Sequence, residues 1–330
     1  MTAPPRRPVV ALAMDREWPE PLFGYDWKTR ISTIAELTPG LVRYDTDQMP
    51  LDRIEVLLTC WGCPPLTATL LDRMPSLTTV VHAAGTIKGI ATQEAQRRGL
   101  IFSSGADLNA QPVAEYTLGA ILLSGKRAFE LREAYRTTGQ RRAHPERHWG
   151  IHGMTVGIVG ASRTGRQLIR LLQPFDVDLL VYDPTLTEEV PGTKSVSLGD
   201  LMAESDVVSV HAPSLPETRH IIDRHALSQM RDGATLINTS RGALIDEVSL
   251  LAELQNGRLF AVLDVTDDDL LKPGAPLLTE PHAFVTPHIA GSVGDEIGRL
   301  GDGAIEELTR LTRGEALARR VYDHELARMA

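Results

Sequence analysis

The sequence predicts an α/β fold with two domains, each built on a parallel β-sheet with helices on both faces. Short apolar runs alternate with helical patterns along nearly the whole chain, and this alternation is typical of right-handed βαβ units. The runs are continuously apolar, as expected for strands of a parallel sheet whose two faces are covered. The length of 330 residues is sufficient for about two domains.

The predicted strands fall into two series that are separated near residue 150. The first series contains Val9–Ala13, Ile54–Thr59, Thr78–His82 and Leu100–Ser103. The second, denser series contains Thr155–Val159, Asp178–Tyr182, Asp206–His211, Ala234–Asn238, Leu259–Asp264 and Ala283–Thr286. The pattern predicts one long helix between the series, over residues 112–129. It also predicts a last helix over residues 293–313, with no strand after it.

Composition and charge argue against several classes of function. A net charge of −9 is unfavourable for sequence-independent binding of nucleic acid. No apolar run approaches the roughly 18 residues of a membrane helix, and the first eight residues lack the apolar stretch of a secretory signal. We therefore expect a cytoplasmic protein that binds neither nucleic acid nor a membrane.

The two cysteines, Cys60 and Cys63, follow a predicted strand and precede a helical pattern. The dithiol of a thioredoxin-type protein is placed in this way. The interpretation that we favour is two small residues in a turn of a reduced protein, and the redox alternative stays open here. Two cysteines are too few for a four-cysteine zinc site, and the histidines lack the HExxH spacing, so no metal site is expected.

A dinucleotide-binding motif follows the first strand of the second series. Gly160 permits a tight turn, and Gly165 lets the following helix lie close to the sheet. The backbone N–H groups of Arg163 and Thr164 would face the pyrophosphate at the helix N-terminus. Ser162 replaces the middle glycine of the motif. Its side chain would either crowd the phosphate or donate a hydrogen bond to it.

Asp183 ends the next predicted strand, 23 residues after Gly160, where a ribose-binding carboxylate is expected. A carboxylate there accepts hydrogen bonds from the adenosine ribose and repels a 2′-phosphate. No arginine follows in residues 184–186 to bind such a phosphate. The sequence therefore predicts NAD as the cofactor and disfavours NADP.

Three turns in the second series carry the groups that hydride transfer to a 2-oxo acid requires. A cation must bind the carboxylate and polarise the carbonyl, a general acid must protonate the developing alkoxide, and a carboxylate must hold that acid in its charged form. Arg241, the acidic run Asp267–Asp269 and His288 each follow a predicted strand. Because ligands bind at the carboxyl ends of strands in open α/β sheets, we expect these turns to converge.

These motifs resemble the D-isomer-specific 2-hydroxyacid dehydrogenase family in order and spacing, most densely over Gly157–Ser292. The resemblance implies that Arg241 binds the substrate carboxylate and carbonyl. It implies that His288 is the acid in reduction and the base in oxidation, so that the chain interconverts a small 2-oxo acid and a D-2-hydroxy acid. Asp269 stands where the family has its catalytic Glu. The shorter side chain reduces the reach by about 1.5 Å, and Asp267 or Asp268 could substitute.

The resemblance also implies contacts for the cofactor and the substrate. Asp264 would bind the nicotinamide amide. Further cofactor contacts would be Thr239, Ser240, His211, Pro213, Thr218 and Gly291. The backbone of Ala84, Gly85 and Thr86 would hold the substrate carboxylate, although Ile87 replaces the family's second glycine there. Substrate specificity would come from the loops Cys60–Pro65 and Ala83–Lys88.

The family's organisation implies a flavodoxin-like, substrate-binding domain of residues 1–110 plus 292–330. Residues 111–291 would form a Rossmann domain that binds NAD, with the active-site cleft between the two domains. The resemblance further implies a homodimer. Because Ser162 and Asp269 depart from the family pattern, an alternative stays open: a nicotinamide-sensing, corepressor-like binding protein with little or no turnover.

Overall fold

The computed structural model of the chain describes residues 7–140, 150–268, 270–326 and 328–329. It divides into two compact units. The first unit comprises Met1–Asn109 and Ser292–Met329, and the second comprises Ala110–Gly291. The sequence predicts divisions after residues 110 and 291, and the roles predicted for the two domains stay predictions.

The strands, in chain order, are β1 (Val9–Ala13), β2 (Glu36–Leu41), β3 (Val56–Thr59), β4 (Thr79–His82), β5 (Ile101–Ser104), β6 (Met154–Val159), β7 (Val177–Tyr182), β8 (Lys194–Ser195), β9 (Val207–Val210), β10 (Thr235–Asn238), β11 (Phe260–Leu263), β12 (Ala283–Val285) and β13 (Arg320–Val321). The helices are α1 (Pro19–Phe23), α2 (Trp27–Ser32), α3 (Ala68–Asp72), α4 (Gln93–Arg97), α5 (Ala106–Gly125), α6 (Ala128–Thr138), α7 (Arg163–Leu172), α8 (Leu198–Glu204), α9 (Arg224–Gln229), α10 (Glu247–Gln255), α11 (Pro276–Thr279), α12 (Ile297–Thr312) and α13 (Asp323–Leu326).

The first unit has a sheet with the order β13-β5-β4-β3-β1-β2, in which β1 to β5 are parallel and β13 is antiparallel to β5. Both faces are covered: in β3, Leu57 packs into the core on one face and Leu58 into the core on the other. Helix α12 belongs to this unit. Its Gly301 lies so close to α1 that a Cβ there would be 1.7 Å from the carbonyl oxygen of Leu22.

The second unit has an all-parallel sheet with the order β12-β11-β10-β9-β6-β7-β8. From β6 the chain proceeds outward to β7 and β8 and then continues with β9 on the other side of β6. The sheet therefore has a topological switch point between β6 and β9, where open α/β sheets bind ligands. In the first unit the same reversal lies between β1 and β3. The predicted α/β class with parallel sheets is confirmed.

Several elements differ from the sequence prediction. The helix predicted over residues 112–129 begins earlier, as α5, and ends at Gly125; Arg127 has a positive φ of 49° before α6 starts. The strand β13 follows the last long helix, although no strand was predicted there. Edge strand β2 was also missed, because its sequence contains Pro39-Gly40 and it lies at the rim of the sheet. Among the described residues, no helix is both long and apolar enough to cross a bilayer.

Candidate active site

The turn after β6 has the shape that a dinucleotide cradle requires. Gly160 has φ +100°, and a Cβ at this position would lie 2.6 Å from the backbone nitrogen of Ala212. A Cβ at Gly165 would lie 2.2 Å from the carbonyl oxygen of Gly160. Only glycine fits at either position, because side-chain atoms would collide with backbone. The first and third glycines of the motif therefore have a steric reason in this chain.

Ser162 occupies the position of the middle glycine with an ordinary φ of −63° and is the N-cap of α7. Its hydroxyl oxygen accepts a hydrogen bond from the N–H of Gly165 at 3.3 Å, so the side chain turns toward the helix. The hydroxyl hydrogen remains able to donate. Arg163 and Thr164 form the first turn of α7, whose N–H groups have no partner within the helix itself. These features fit a bound pyrophosphate.

Asp183 lies directly after β7 and fixes the cradle from the other side. Its Oδ2 accepts the N–H of Ala161 at 2.9 Å, and its Oδ1 accepts the N–H and hydroxyl of Thr185 at 2.9 and 2.6 Å. A cavity of about 370 Å³ opens here, and the acidic side chains Glu188 and Glu189 line it together with Asp183. The three carboxyl side chains give this cavity an acidic lining.

His211 follows β9 on the other side of the switch point and is 2% exposed. Its Nε2 lies 2.8 Å from the Ser209 hydroxyl, and its Nδ1 has no hydrogen-bond partner among the described residues. Burial lowers the pKa of His211 to about 4, so the ring is neutral at physiological pH. Next in the chain, Thr218 donates to the carbonyl oxygen of Pro213 at 2.6 Å and thereby closes the loop that these two residues share.

The turn after β10 carries Arg241. Asn238 is fully buried and holds the turn at both ends: its side-chain N–H donates to the carbonyl oxygen of Arg241 at 2.9 Å, and its Oδ1 accepts from Ser240 N at 3.0 Å. The Ser240 hydroxyl donates to the carbonyl oxygen of Val210, at the end of the neighbouring strand β9, at 2.8 Å. Gly242 lies against the next turn, since a Cβ there would be 2.0 Å from the carbonyl carbon of Thr266.

The turn after β12 carries His288, which has a left-handed backbone with φ +56°. Asp264, buried at the end of β11, organises this turn. Its carboxylate accepts the hydroxyl of Thr286 at 2.7 Å and the N–H groups of Ile289 and Ala290, both at 2.8 Å. Its carbonyl oxygen accepts the N–H of His288 at 2.9 Å. Asp264 therefore has a structural task in the turn, besides the contact with the nicotinamide amide that the sequence predicts.

Asp269, the predicted partner of His288, lies outside the described residues. Beside it, the N–H of Asp267 donates to Oε1 of Glu247 at 2.5 Å, and Asp267 also pairs with Arg219 at 3.6 Å. Partial burial raises the pKa of Glu247, with Asp267 and Asp268 adding to the effect. Sequence reasoning missed Glu247, Asn238 and Gly242, because a residue that holds a turn has no motif beyond its proximity to a predicted catalytic residue.

In the first unit, the predicted substrate loop follows β4. Ala84 is buried, and the Ser104 hydroxyl lies within hydrogen-bond distance of the carbonyl oxygens of Ala84, at 3.2 Å, and Gly85. The N–H of Lys88 lies 3.4 Å from the Thr86 hydroxyl. Within the same unit, Asn109 accepts the N–H of Ser292 at 2.9 Å.

Cys60 is buried and Cys63 is partly buried. Burial raises the pKa of both the Cys60 and the Cys63 thiol to about 12, and both thiols are free. The Cys60 thiol donates to the carbonyl oxygen of Ala83 at 3.3 Å. A protonated thiol is a poor nucleophile, so the redox alternative is unfavourable.

Comparison with known proteins gives a consistent result. Residues 118–290 match the family profile described as D-isomer specific 2-hydroxyacid dehydrogenase, NAD binding domain. The chain is 30% identical over 296 residues to the glyoxylate reductase of Thermofilum pendens, covering 83% of this chain and 86% of that protein. It is 29% identical over 288 residues to the D-3-phosphoglycerate dehydrogenase of Methanocaldococcus jannaschii. The aligned region covers 85% of this chain but 54% of that protein.

Solved structures have the same fold. A D-isomer specific 2-hydroxyacid dehydrogenase from Xanthobacter autotrophicus was solved in complex with NADPH and MES. It superposes on this chain with a TM-score of 0.79 at 21% identity, and the superposed region covers 97% of this chain and 99% of that protein. The D-lactate dehydrogenase of Aquifex aeolicus, solved with NAD and lactic acid, gives a TM-score of 0.70 at 22% identity over 93% and 96% of the two chains.

Proposed function

Since the chain belongs to the D-isomer specific 2-hydroxyacid dehydrogenase family, we propose that Arg241 and His288 perform its reaction. The chain is an NAD-binding oxidoreductase of this family and acts between a 2-oxo acid and a D-2-hydroxy acid. The observation that carries the proposal is the register of β10, β11 and β12. Asn238 is level with Leu263, and Leu263 is level with Val285. The turns with Arg241, Asp264 and His288 therefore leave the same edge of the sheet side by side.

The proposed chemistry follows from the charges of these side chains. The Arg241 guanidinium binds the substrate carboxylate and polarises the carbonyl, because its planar fork matches a carboxylate. His288 donates the proton that the alkoxide oxygen requires in reduction, and it accepts that proton in oxidation. When bound, the nicotinamide supplies the hydride or takes it up. We keep Asp269 as the proposed partner of the imidazole.

We assign the dinucleotide to the cradle at the β6–β9 switch point. Gly160, Ser162, Arg163, Thr164 and Gly165 surround the pyrophosphate, and Asp183 accepts the ribose hydroxyls. His211, Pro213, Thr218, Thr239, Ser240, Asp264 and Gly291 complete the proposed contacts. The acidic lining around Asp183 favours NAD over NADP, because a 2′-phosphate would meet three carboxylates. Comparing kcat/KM for NADH and NADPH tests this preference.

The substrate is a small 2-oxo acid whose carboxylate is also bound by the backbone of Ala84, Gly85 and Thr86. The loops Cys60–Pro65 and Ala83–Lys88 select the remaining group. We further propose a homodimer in the cytoplasm, with no affinity for nucleic acid or membranes. Light scattering at micromolar concentration measures the oligomeric state.

The decisive experiment is NADH oxidation with a panel of 2-oxo acids: pyruvate, glyoxylate, hydroxypyruvate, phenylpyruvate and branched 2-oxo acids. We expect at least one to be reduced to the D-hydroxy acid, and both Arg241→Gln and His288→Gln to lose at least about 100-fold in kcat/KM. The comparisons do not favour the alternative of a nicotinamide sensor. Tight NADH binding with no turnover of any substrate would nevertheless replace the proposal with that alternative.

A further inference from the structure

Two neighbouring residues of α5 carry hydroxyl groups that reach the two turns with Arg241 and His288. The hydroxyl of Tyr116 lies 2.7 Å from that of Thr286, two residues before His288. The hydroxyl of Thr117 lies 2.9 Å from that of Thr239, two residues before Arg241. One helix thus contacts both turns at equivalent positions.

The direction of each hydrogen bond follows from the other partners, since a hydroxyl has one hydrogen to donate. The Thr286 hydroxyl donates to the carboxylate of Asp264, so Tyr116 must donate to Thr286. The Thr117 hydroxyl donates to the carbonyl oxygen of Val113 at 2.7 Å, so Thr239 must donate to Thr117. Each bridge therefore has a single arrangement of hydrogens.

The first bridge continues to the backbone around His288. Tyr116 donates to Thr286, Thr286 donates to Asp264, and the same carboxylate accepts the N–H groups on the C-terminal side of His288. A left-handed backbone at a residue other than glycine is strained and persists only where neighbouring groups impose it. Removing the first donor weakens the constraint on the imidazole.

The second bridge supports the Arg241 turn at a buried point. Thr117 is fully buried and Thr239 is 7% exposed, so water cannot replace the hydrogen bond between them. The Thr239 hydroxyl donates toward the helix, which leaves only its lone pairs for a bound molecule. The helix thereby fixes both the position of this turn and the hydrogen-bonding character of its threonine.

We propose that Tyr116 and Thr117 are positioning residues, which hold His288 and Arg241 respectively in the geometry of the reaction. The proposal rests on the catalytic roles given above for those two side chains. Tyr116 serves the proton-transferring group and Thr117 serves the substrate-binding group. The two positions therefore have different kinetic signatures, although they are adjacent in sequence.

The experiment compares Tyr116→Phe and Thr117→Val, each of which removes one hydroxyl and keeps the volume. Tyr116→Phe is expected to lower kcat about fivefold to tenfold with little change in KM, since proton transfer is affected after binding. Thr117→Val is expected to raise KM for the 2-oxo acid about fivefold, since Arg241 binds the carboxylate before reaction. Thr117→Ser keeps the hydroxyl and should restore the parent KM.

Matched controls come from α6, where Tyr135 is 64% exposed and Thr137 donates back to the carbonyl of Glu133, as Thr117 does to Val113. Tyr135→Phe and Thr137→Val should leave kcat and KM at the parent values. If Tyr116→Phe and Thr117→Val lower the melting temperature but leave both kinetic constants as in these controls, the hydroxyls are merely structural and the proposal is wrong.

A readout without turnover separates this proposal from the proposed function. The amide protons of Ile289 and Ala290, which bind Asp264, should exchange with deuterium about tenfold faster in Tyr116→Phe than in Tyr135→Phe. Unchanged exchange would overturn the positioning role even in an active enzyme. A parent protein that reduces none of the 2-oxo acids would instead contradict the proposed function.

Discussion

Each sheet has a crevice at the carboxyl ends of the two strands where the chain reverses across the sheet: β1 and β3 in the first unit, β6 and β9 in the second. In the second unit, Gly160 leaves this crevice open and a ten-residue helix starts within a few residues of the strand. In the first unit, the side chain of Asp15, two residues after β1, lies against the loop that follows β3. A Cβ at Gly62 would lie 2.2 Å from the Asp15 carboxylate.

The residues around Asp15 close the first crevice further. Tyr44 donates to the Asp15 carboxylate at 2.5 Å, and Arg43 pairs with it at 3.3 Å and also donates to the carbonyl oxygen of Gly62 at 2.6 Å. Trp18 and Trp61 pack against each other with ring centroids 4.6 Å apart. The helix that follows, α1, has five residues and no side-chain N-cap bond. Topology therefore creates a crevice in both units, while the residues that follow β1 and β6 decide whether a dinucleotide fits.

The largest expected effect comes from filling the open crevice. Gly160→Ala places a Cβ against the backbone of Ala212 and disfavours the left-handed φ, so NADH affinity should fall more than about 100-fold, equivalent to about 2.7 kcal/mol. Fluorescence titration with NADH measures the affinity, and circular dichroism checks that the variant is folded. A folded Gly160→Ala protein with the parent affinity for NADH would contradict the assignment of the dinucleotide to this turn.

Gly62→Ala is the matched change in the closed crevice. Its Cβ meets the end of a side chain rather than backbone, and its φ of +83° makes it strained as well. We expect a lower melting temperature with unchanged NADH affinity. A loss of affinity like that of Gly160→Ala would show that the first crevice also contributes to cofactor binding.

Acid should weaken both units to a similar extent. Burial lowers the pKa of His82, at the end of β4, and of His211 to about 4 each, against about 6.5 in the unfolded chain. The unfolded chain therefore binds protons first, and stability falls as the pH decreases from 6.5 to 4. The loss is about 3 kcal/mol for each histidine. Urea unfolding at pH 7.5 and 5 measures the slope.

The variants His82→Asn and His211→Asn measure how much each unit contributes to the dependence of unfolding free energy on pH. Each should reduce the dependence of unfolding free energy on pH by roughly half of the histidine contribution, and the double variant should remove it. An unaltered slope in either variant would mean that other groups cause the acid sensitivity of that unit.

A smaller effect is expected at the rim of the open crevice. Asp183→Ser removes the acceptor for the ribose hydroxyls and for the N–H of Ala161, so kcat/KM for NADH should fall about tenfold. The value for NADPH should fall less or rise, because a negative charge beside the 2′-phosphate is lost. Equal losses for both cofactors would contradict the assigned ribose contact.

The smallest effect concerns the thiols beside the closed crevice. With pKa values of about 12, Cys60 and Cys63 should react negligibly with Ellman's reagent at pH 8, and unfolding in urea should restore reaction of both. A fast reaction of the folded protein would reopen the thiol redox alternative. Free glutathione at the same pH provides the reference rate.

The agreement between sequence and structure is best where a pattern is local and repeated. The strands β1, β3 to β7 and β9 to β12 lie close to their predicted places, because apolar runs and flanking turns mark such strands. The edge strands β2 and β13 were missed, since an edge strand does not need a continuous apolar run. The predicted end of the long helix, at residue 129, is also wrong, because Arg127 adopts a positive φ without being a glycine.

The sequence by itself determined the α/β class, the glycine positions of the cradle and the order of Arg241 and His288 behind β10 and β12. These features follow from chemistry that acts over a few neighbouring residues. Only the tertiary structure decided that Ser162 caps α7 and that Asp264 holds the His288 turn. It also decided that Tyr116 contacts the His288 turn and that Thr117 contacts the Arg241 turn. Thr117 and Thr239 are 122 residues apart, and no local pattern encodes a hydrogen bond that forms only when the sheet and the helix have packed.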